Sequence, residues 1–267
     1  MLSLFGIAQK YAHILLFIFI EIICLNLIVR FNSNQNSIIK NSASQVSGSI
    51  FKQTSRLNEL LDLEKDNARL AAENAELIRE VIVLSDKLNN QKKQDEEFVY
   101  DVTSAKILSQ SIRSLRNTII INKGQQDSLK TDMGIITLQG VVGKLTSVST
   151  NYSSGLSLLN IDTRISATLK SNNYYGTITW PGNSISELEL QGIPNHASIS
   201  VGDTIVTNGY STIFPPNIVI GTVIDWSLEK SGEYFNVKVE PSVSYGNLDN
   251  VYIINNLSST ELKELNE

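Results

Sequence analysis

Residues Asn67–Leu77 read N-A-R-L-A-A-E-N-A-E-L, inside a longer stretch, Leu57–Glu97, with one uninterrupted heptad pattern. Its a positions are Leu60, Asn67, Asn74, Val81 and Leu88, and its d positions are Leu63, Leu70, Leu77 and Leu84. Alternating three- and four-residue steps kept over about four heptads predict a coiled coil. No Gly or Pro interrupts the run, and Ala, Leu, Glu, Lys and Arg dominate it, all good helix formers. Such a helix spans roughly 60 Å at 1.5 Å per residue. It cannot bury its stripe against itself and needs a partner. Asn at two a positions lowers stability but fixes register and favours a parallel dimer. Flanking charges add little, since Glu59 and Glu64 are like-charged across the seam. The competing reading is an amphipathic helix packed on a globular domain. The narrow a/d stripe favours self-association.

Upstream, Ala12–Val29 reads A-H-I-L-L-F-I-F-I-E-I-I-C-L-N-L-I-V, just long enough to cross a bilayer. No small-residue cleavage site follows it; Arg30, Phe31 and an Asn/Ser-rich segment do. A signal peptide would need such a site, so the run predicts an uncleaved transmembrane helix, residues 12–29. The expected topology puts a short tail, 1–11, in the cytoplasm and the bulk outside. Glu21 lies in the middle of the run and shares a helical face with His13 and Phe17. An ionisable group at membrane depth suggests contact with a polar group on a membrane partner. A protonated Glu tolerated in a single span is the other reading. Cys24 is the one cysteine of the chain, so no disulfide forms within it, and it reads as a small apolar residue of that helix. Residues 30–55 read as a linker or an extension of the helix, and the coiled coil as residues 56–97.

Downstream of Glu97 the pattern changes. Short β-branched runs alternate with Gly, Asn, Asp and Pro clusters, as in Val141–Val148, Thr204–Thr207 and Val219–Ile224. About twelve such runs at regular spacing predict an all-β region, better suited to two small barrels than to one sheet. The fold class is therefore mainly β with an N-terminal α segment: transmembrane helix, long parallel coiled coil, then two small six-stranded β-barrel domains. The first is expected over 98–165 and the second over 166–255, with 240–255 open to two readings, as the end of the second or as a return to the first, and a polar tail at 256–267. Gly124, Gly134, Gly140, Gly143, Gly202, Gly209 and Gly221 stand at turn-like points where a positive φ or a close backbone approach is expected.

Chemistry is sparse. The 267 residues carry a net charge of -5 without a Lys/Arg cluster, which speaks against nucleic acid. A triad hydrolase needs a histidine base; only His13, in the apolar run, and His196, in the loop I-P-N-H-A-S, are present. There is no G-x-S-x-G, no C-x-x-C and no phosphate loop opening a helix. G-V-V-G-K-L at Gly140 reads as a strand with glycine turns. Asp162, Asp203 and Asp225 could meet in space as a paired-carboxylate site, but each reads more simply as a turn aspartate. No catalytic residue, cofactor or metal is expected.

Three stretches together resemble the MreC family of rod shape-determining proteins. They are the coiled-coil N-A-R-L-A-A-E-N-A-E-L; I-I-I-N-K-G-Q-Q-D-S-L-K-T-D-M-G-I-I-T-L-Q-G-V-V-G-K-L (Ile119–Leu145); and I-S-V-G-D-T-I-V-T-N-G-Y-S-T-I-F-P-P-N-I-V-I-G-T-V (Ile199–Val223). The third is the most specific, with Gly202-Asp203, Gly209, Phe214-Pro215 and Gly221 in order and at the family's spacing. Ser128 stands where the family often has Gly, Asn208 where Ser precedes Gly209, and Asn217 where Gly follows Pro. Asn is the non-glycine residue best suited to a positive φ, so Asn217 keeps the turn chemistry and Ser128 does so less well. The resemblance implies a single-pass protein of the bacterial inner membrane with its bulk in the periplasm. It implies barrels related to the trypsin type without the triad. It also implies a dimeric scaffold of cell-wall elongation, whose partners are the membrane protein MreD, a penicillin-binding transpeptidase with its polymerase and, indirectly, MreB. A periplasmic adaptor of a secretion or efflux system also joins anchor, coiled coil and barrel, but usually with the coiled coil as a hairpin. A membrane-anchored protease is the third class.

Overall fold

Alternating β-branched residues form strands because each pleated segment buries one face, and this region has enough of them to close two sheets. A computed structural model describes residues 12–31, 63, 65–85, 87, 100–211 and 213–257. Leu60 and Leu88 of the heptad stripe, residues 1–11, the segment 32–62 and the tail after 257 lie outside the described residues.

The chain divides into two units, 1–67 and 68–267. In the first, α1 (Ala12–Phe31) is a 20-residue helix. Its apolar side chains, Phe17 and Phe19 among them, are exposed. Side chains are described for Ala12–Cys24, Asn26 and Leu27; on the described residues alone, no helix is long and apolar enough to cross a membrane. A second helix, α2, runs over residues 65–85.

The β region contains β1 (Tyr100–Gln110), β2 (Arg116–Ile121), β3 (Gly134–Ile136), β4 (Val141–Val148), β5 (Ser153–Asn160), β6 (Ile165–Leu169), β7 (Tyr175–Thr179), β8 (Leu188–Pro194), β9 (Thr204–Thr207), β10 (Val219–Leu228), β11 (Tyr234–Pro241) and β12 (Asn250–Asn256). They close into two antiparallel barrels, β1-β12-β3-β4-β5-β2 and β10-β11-β8-β7-β6-β9. Strand β12 thus returns to the first barrel after the whole of the second.

The core of each barrel follows from period-two alternation. In β2 the inward residues Asn117, Ile119 and Ile121 are buried while Arg116, Thr118 and Ile120 face out. Ile135, Leu145 and Leu158 complete the first core, and Leu169, Ile178, Leu190 and Ile205 fill the second.

Polar groups at the crossing between barrels are paired, as burial demands. Asn117 Nδ2 donates to the Leu159 carbonyl at 2.6 Å, Asn160 Nδ2 to the Asn117 carbonyl at 2.9 Å, and Thr163 Oγ1 to the Ser157 carbonyl at 2.8 Å. These bonds fix the short passage from β5 to β6. The return passage is held by Tyr245, whose buried hydroxyl donates to the Val141 carbonyl at 2.9 Å.

Candidate functional site

The signature residues gather where the two barrels meet. Gly134 of β3 faces the Phe214 ring, which is buried; a Cβ at 134 would stand 2.5 Å from a ring carbon. Gly140 closes the β3–β4 hairpin at φ +151°, and its Cα hydrogens face the Val219 carbonyl and Ser242 Oγ of the second barrel's side. No side chain fits there. The loop that carries Phe214 is pinned to the end of β9. Thr207 Oγ1 donates to the Pro215 carbonyl at 2.6 Å and accepts from the Ile218 N–H at 3.0 Å. Asn217 sits at φ 70° and donates its N–H to the Thr207 carbonyl at 2.9 Å. The first barrel's glycine hairpin and the second barrel's Phe-Pro loop therefore form one joint.

The remaining signature positions serve their own barrels. Gly143 and Gly221 lie in β4 and β10, close against the carbonyls of Leu156 and Glu240 on neighbouring strands. Gly124 opens a 3₁₀ turn that ends at Ser128, which is left-handed at φ 64°, ψ 19°. Gly202 and Asp203 turn the chain into β9, with the Asp203 carboxylate accepting the Ser200 N–H at 2.9 Å. Gly209 packs on the Pro216 ring.

Helix α2 presents two faces. Ala71, Ala75 and Ile82 are buried, with Ile78 packed beside them. Small side chains on that face let the helix lie close to the barrels. The other face carries the heptad stripe: Leu63, Leu70, Leu77, Val81 and Leu84 are 60%, 51%, 57%, 61% and 59% exposed. Asn67 is exposed too, whereas Asn74 is half-buried and bonds the Tyr252 hydroxyl of β12. Burial raises the Tyr252 phenol above its ordinary range, and the Asn74 bond opposes that rise. Beside the stripe runs an apolar groove of about 420 Å³, lined by Leu77 and Val81 of α2, Leu138 of the β3–β4 turn, and Pro216 and Ile218 of the Phe-Pro loop. Glu21 is exposed on α1.

Several features escaped the sequence reading. Tyr245 stands in a nondescript connection, and burial pushes its phenol far above the ordinary range. Tyr175 and Tyr210 meet edge to face at 6.1 Å between ring centres on the second barrel, both largely exposed. Trp226 and Phe235 do so at 5.0 Å.

The candidate carboxylates do not converge. Asp162 pairs with Arg116 at 2.8 Å and Asp225 takes the Trp226 N–H at 2.9 Å, so each acts locally, like Asp203. His196 stacks edge-on to Tyr174 at 5.7 Å. Among the described residues no group of three His, Cys, Asp or Glu side chains could hold a metal ion.

The model of the family described as "Rod shape-determining protein MreC, barrel core" matches residues 107–255. The chain belongs to the MreC family. That family determines cell shape and is not a family of enzymes. Among curated MreC proteins, that of Listeria monocytogenes is 28% identical over 203 residues, covering 74% of this chain and 65% of the relative. The Bacillus subtilis protein is 27% identical over 216 residues, covering 77% and 72%. The chain thus spans about two thirds of the Listeria relative's length. A solved MreC from Listeria monocytogenes matches with a TM-score of 0.59 at 25% identity, covering 77% of this chain and 94% of that one. A complex between Penicillin-Binding Protein 2 and MreC from Helicobacter pylori matches with a TM-score of 0.50 at 17% identity, covering 59% and 99%. These likenesses agree with the mainly β fold of two closed six-stranded barrels.

Proposed function

We propose that this chain is a membrane-anchored, dimeric scaffold of cell-wall elongation that docks a penicillin-binding protein. The observation that carries the reading is the two-faced helix α2. One face is occupied by its own barrels, yet Leu63, Leu70, Leu77 and Leu84 of the heptad stripe stay exposed in a single chain. Exposed apolar stripes of this kind mark an interaction site, and the a/d spacing suits a second copy in parallel. The apolar run of α1 supplies the anchor, with the N-terminus in the cytoplasm and the barrels in the periplasm. Glu21 on that helix faces a membrane partner resembling MreD, and through it the scaffold reaches MreB. The Helicobacter pylori complex supports a penicillin-binding protein as the external partner.

A dimer would hold paired barrels at a fixed height, and binding one conformation of the synthase more tightly would shift its population. Depletion in the native bacterium, with wall-precursor incorporation imaged alongside, tests this. Rounding with delocalised incorporation is the expected result; normal shape with a secretion defect would overturn it. The seam is tested with Leu70→Lys and Leu77→Lys combined, which should make the full chain sediment as a monomer. A dimer that survives would place self-association in the barrels.

A further inference from the structure

The β10–β11 hairpin outruns its barrel. β9 pairs with β10 only as far as Thr222, so among the described residues Ile224–Leu228 have no strand on that side. On the barrel's inner side, Val223, Val237 and Val239 are buried. Beyond a bulge at Ile224, Trp226 lies opposite Val237 and Leu228 opposite Phe235. Directly opposed residues of an antiparallel pair point to the same side, so Trp226, Leu228 and Phe235 continue the core-facing row. Phe235 still packs partly against the core, but Trp226 and Leu228 beyond it are 42% and 53% exposed. The outward row at the same height is polar, with Asp225 opposite Lys238 and Ser227 opposite Asn236. Alternation suited to a buried sheet is therefore kept at Trp226 and Leu228, which among the described residues stay about half exposed.

Two further observations describe what covers it. Asp225 Oδ1 takes the Trp226 N–H at 2.9 Å, which blunts the strand edge against an added strand. The contact is thus made by side chains. The hairpin also carries four carboxylates, Asp225, Glu229, Glu233 and Glu240, against Lys230 and Lys238, and Lys238 is already paired with Glu187 at 3.2 Å. An acidic rim around an apolar centre complements a cleft framed by Lys or Arg, and opposes a second copy of the same hairpin.

We infer that the overhanging β10–β11 hairpin is the element that docks the partner protein, through an apolar cleft with a basic rim. This rests on the proposed function, which makes that partner the penicillin-binding protein. The test uses the full chain and the elongation penicillin-binding protein of the same bacterium, both reconstituted in membrane, with the dissociation constant measured at low and high salt. Trp226→Ser with Leu228→Ser should weaken binding at least about tenfold, the size expected of an anchor residue. Glu229→Lys with Glu233→Lys, which leaves the apolar row intact, should weaken it and flatten its salt dependence. Unchanged thermal unfolding midpoints establish that both variants are folded. Wild-type binding that neither variant alters would overturn the hairpin's role and leave the proposed function standing. Loss of self-association with unchanged partner binding would also overturn it, giving the hairpin to a second copy. Absence of binding by the wild-type chain would overturn the proposed partner itself, and the hairpin's occupant with it.

Discussion

Replacing Gly140 with alanine strikes the joint between the barrels. Gly140 has φ +151°, a backbone conformation that costs other residues about 1–3 kcal/mol. Its new methyl would also fall inside contact distance of the Val219 carbonyl and 2.5 Å from Ser242 Oγ. Neither atom lies on a long flexible side chain, so the hairpin or the β10 backbone must shift. Overpacking of that kind costs about 1–3 kcal/mol more. Gly202→Ala separates the two effects. Gly202 has φ +94° and nothing within 4 Å of an added Cβ, so that variant carries the backbone cost alone. Urea unfolding of both, followed by far-UV dichroism and tryptophan fluorescence, gives the comparison. Trp180 and Trp226 both lie in the second barrel, so fluorescence reports that barrel and dichroism the whole β region. Gly140→Ala should be the less stable by at least about 1 kcal/mol, with the two signals separating as the joint loosens. Equal destabilisation, to within about 0.5 kcal/mol, would refute the close-packed joint.

Ser128→Gly should stabilise the chain by about 0.5 kcal/mol in the same assay, because a left-handed serine costs about 1–2 kcal/mol and glycine returns part of that as unfolded-state entropy. Tyr245→Phe should destabilise by about 1–3 kcal/mol, since it leaves the Val141 carbonyl buried without its donor. The phenol of Tyr245 is raised on folding, so its contribution is present below the ordinary tyrosine range and lost as pH climbs above it. The Phe variant should therefore show a shallower alkaline decline in unfolding midpoint. Asp127 behaves oppositely. The Lys123 ammonium bonding it, together with the Gly124 N–H, holds its carboxyl below the usual range. Its contribution is present above the ordinary aspartate value and lost as pH falls through the lowered one. Asp127→Asn should flatten the acid limb of a thermal-midpoint profile, and an unchanged limb would show that this pair contributes nothing.

Much of the fold was legible because barrel strands obey a local rule. Val141–Val148 and Thr204–Thr207 are read from β-branched residues between turn formers, and their observed limits coincide with that reading. β8 and β10 run further than their apolar letters. Pro194 at the end of β8, and Asp225 and Ser227 in β10, look like turn residues, yet pairing with β11 holds them in the sheet. On α2 the leucine stripe was plain. The opposite contact face was not, because Ala71 and Ala75 bury little area and carry no pattern of their own. The joint was half visible. The glycines and Phe214-Pro215 stood out as a signature, but their meeting depends on strands far apart in sequence. Tyr245 gave no signal at all, since nothing near it in the chain reveals that its hydroxyl reaches β4.

The return of β12 to the first barrel sets an order of events during synthesis. Tyr100 pairs with Asn256 and Lys106 with Asn250, contacts roughly 150 residues apart whose closure is slow for entropic reasons. The second barrel is contiguous, from Ile165 to Pro241, and can close once its own strands have emerged. Until β12 arrives, β1 and β3, its two neighbours, expose unpaired edges, the kind of surface on which nascent chains pair wrongly. A chain terminated before Asn250 would carry a finished second barrel on a first one left open.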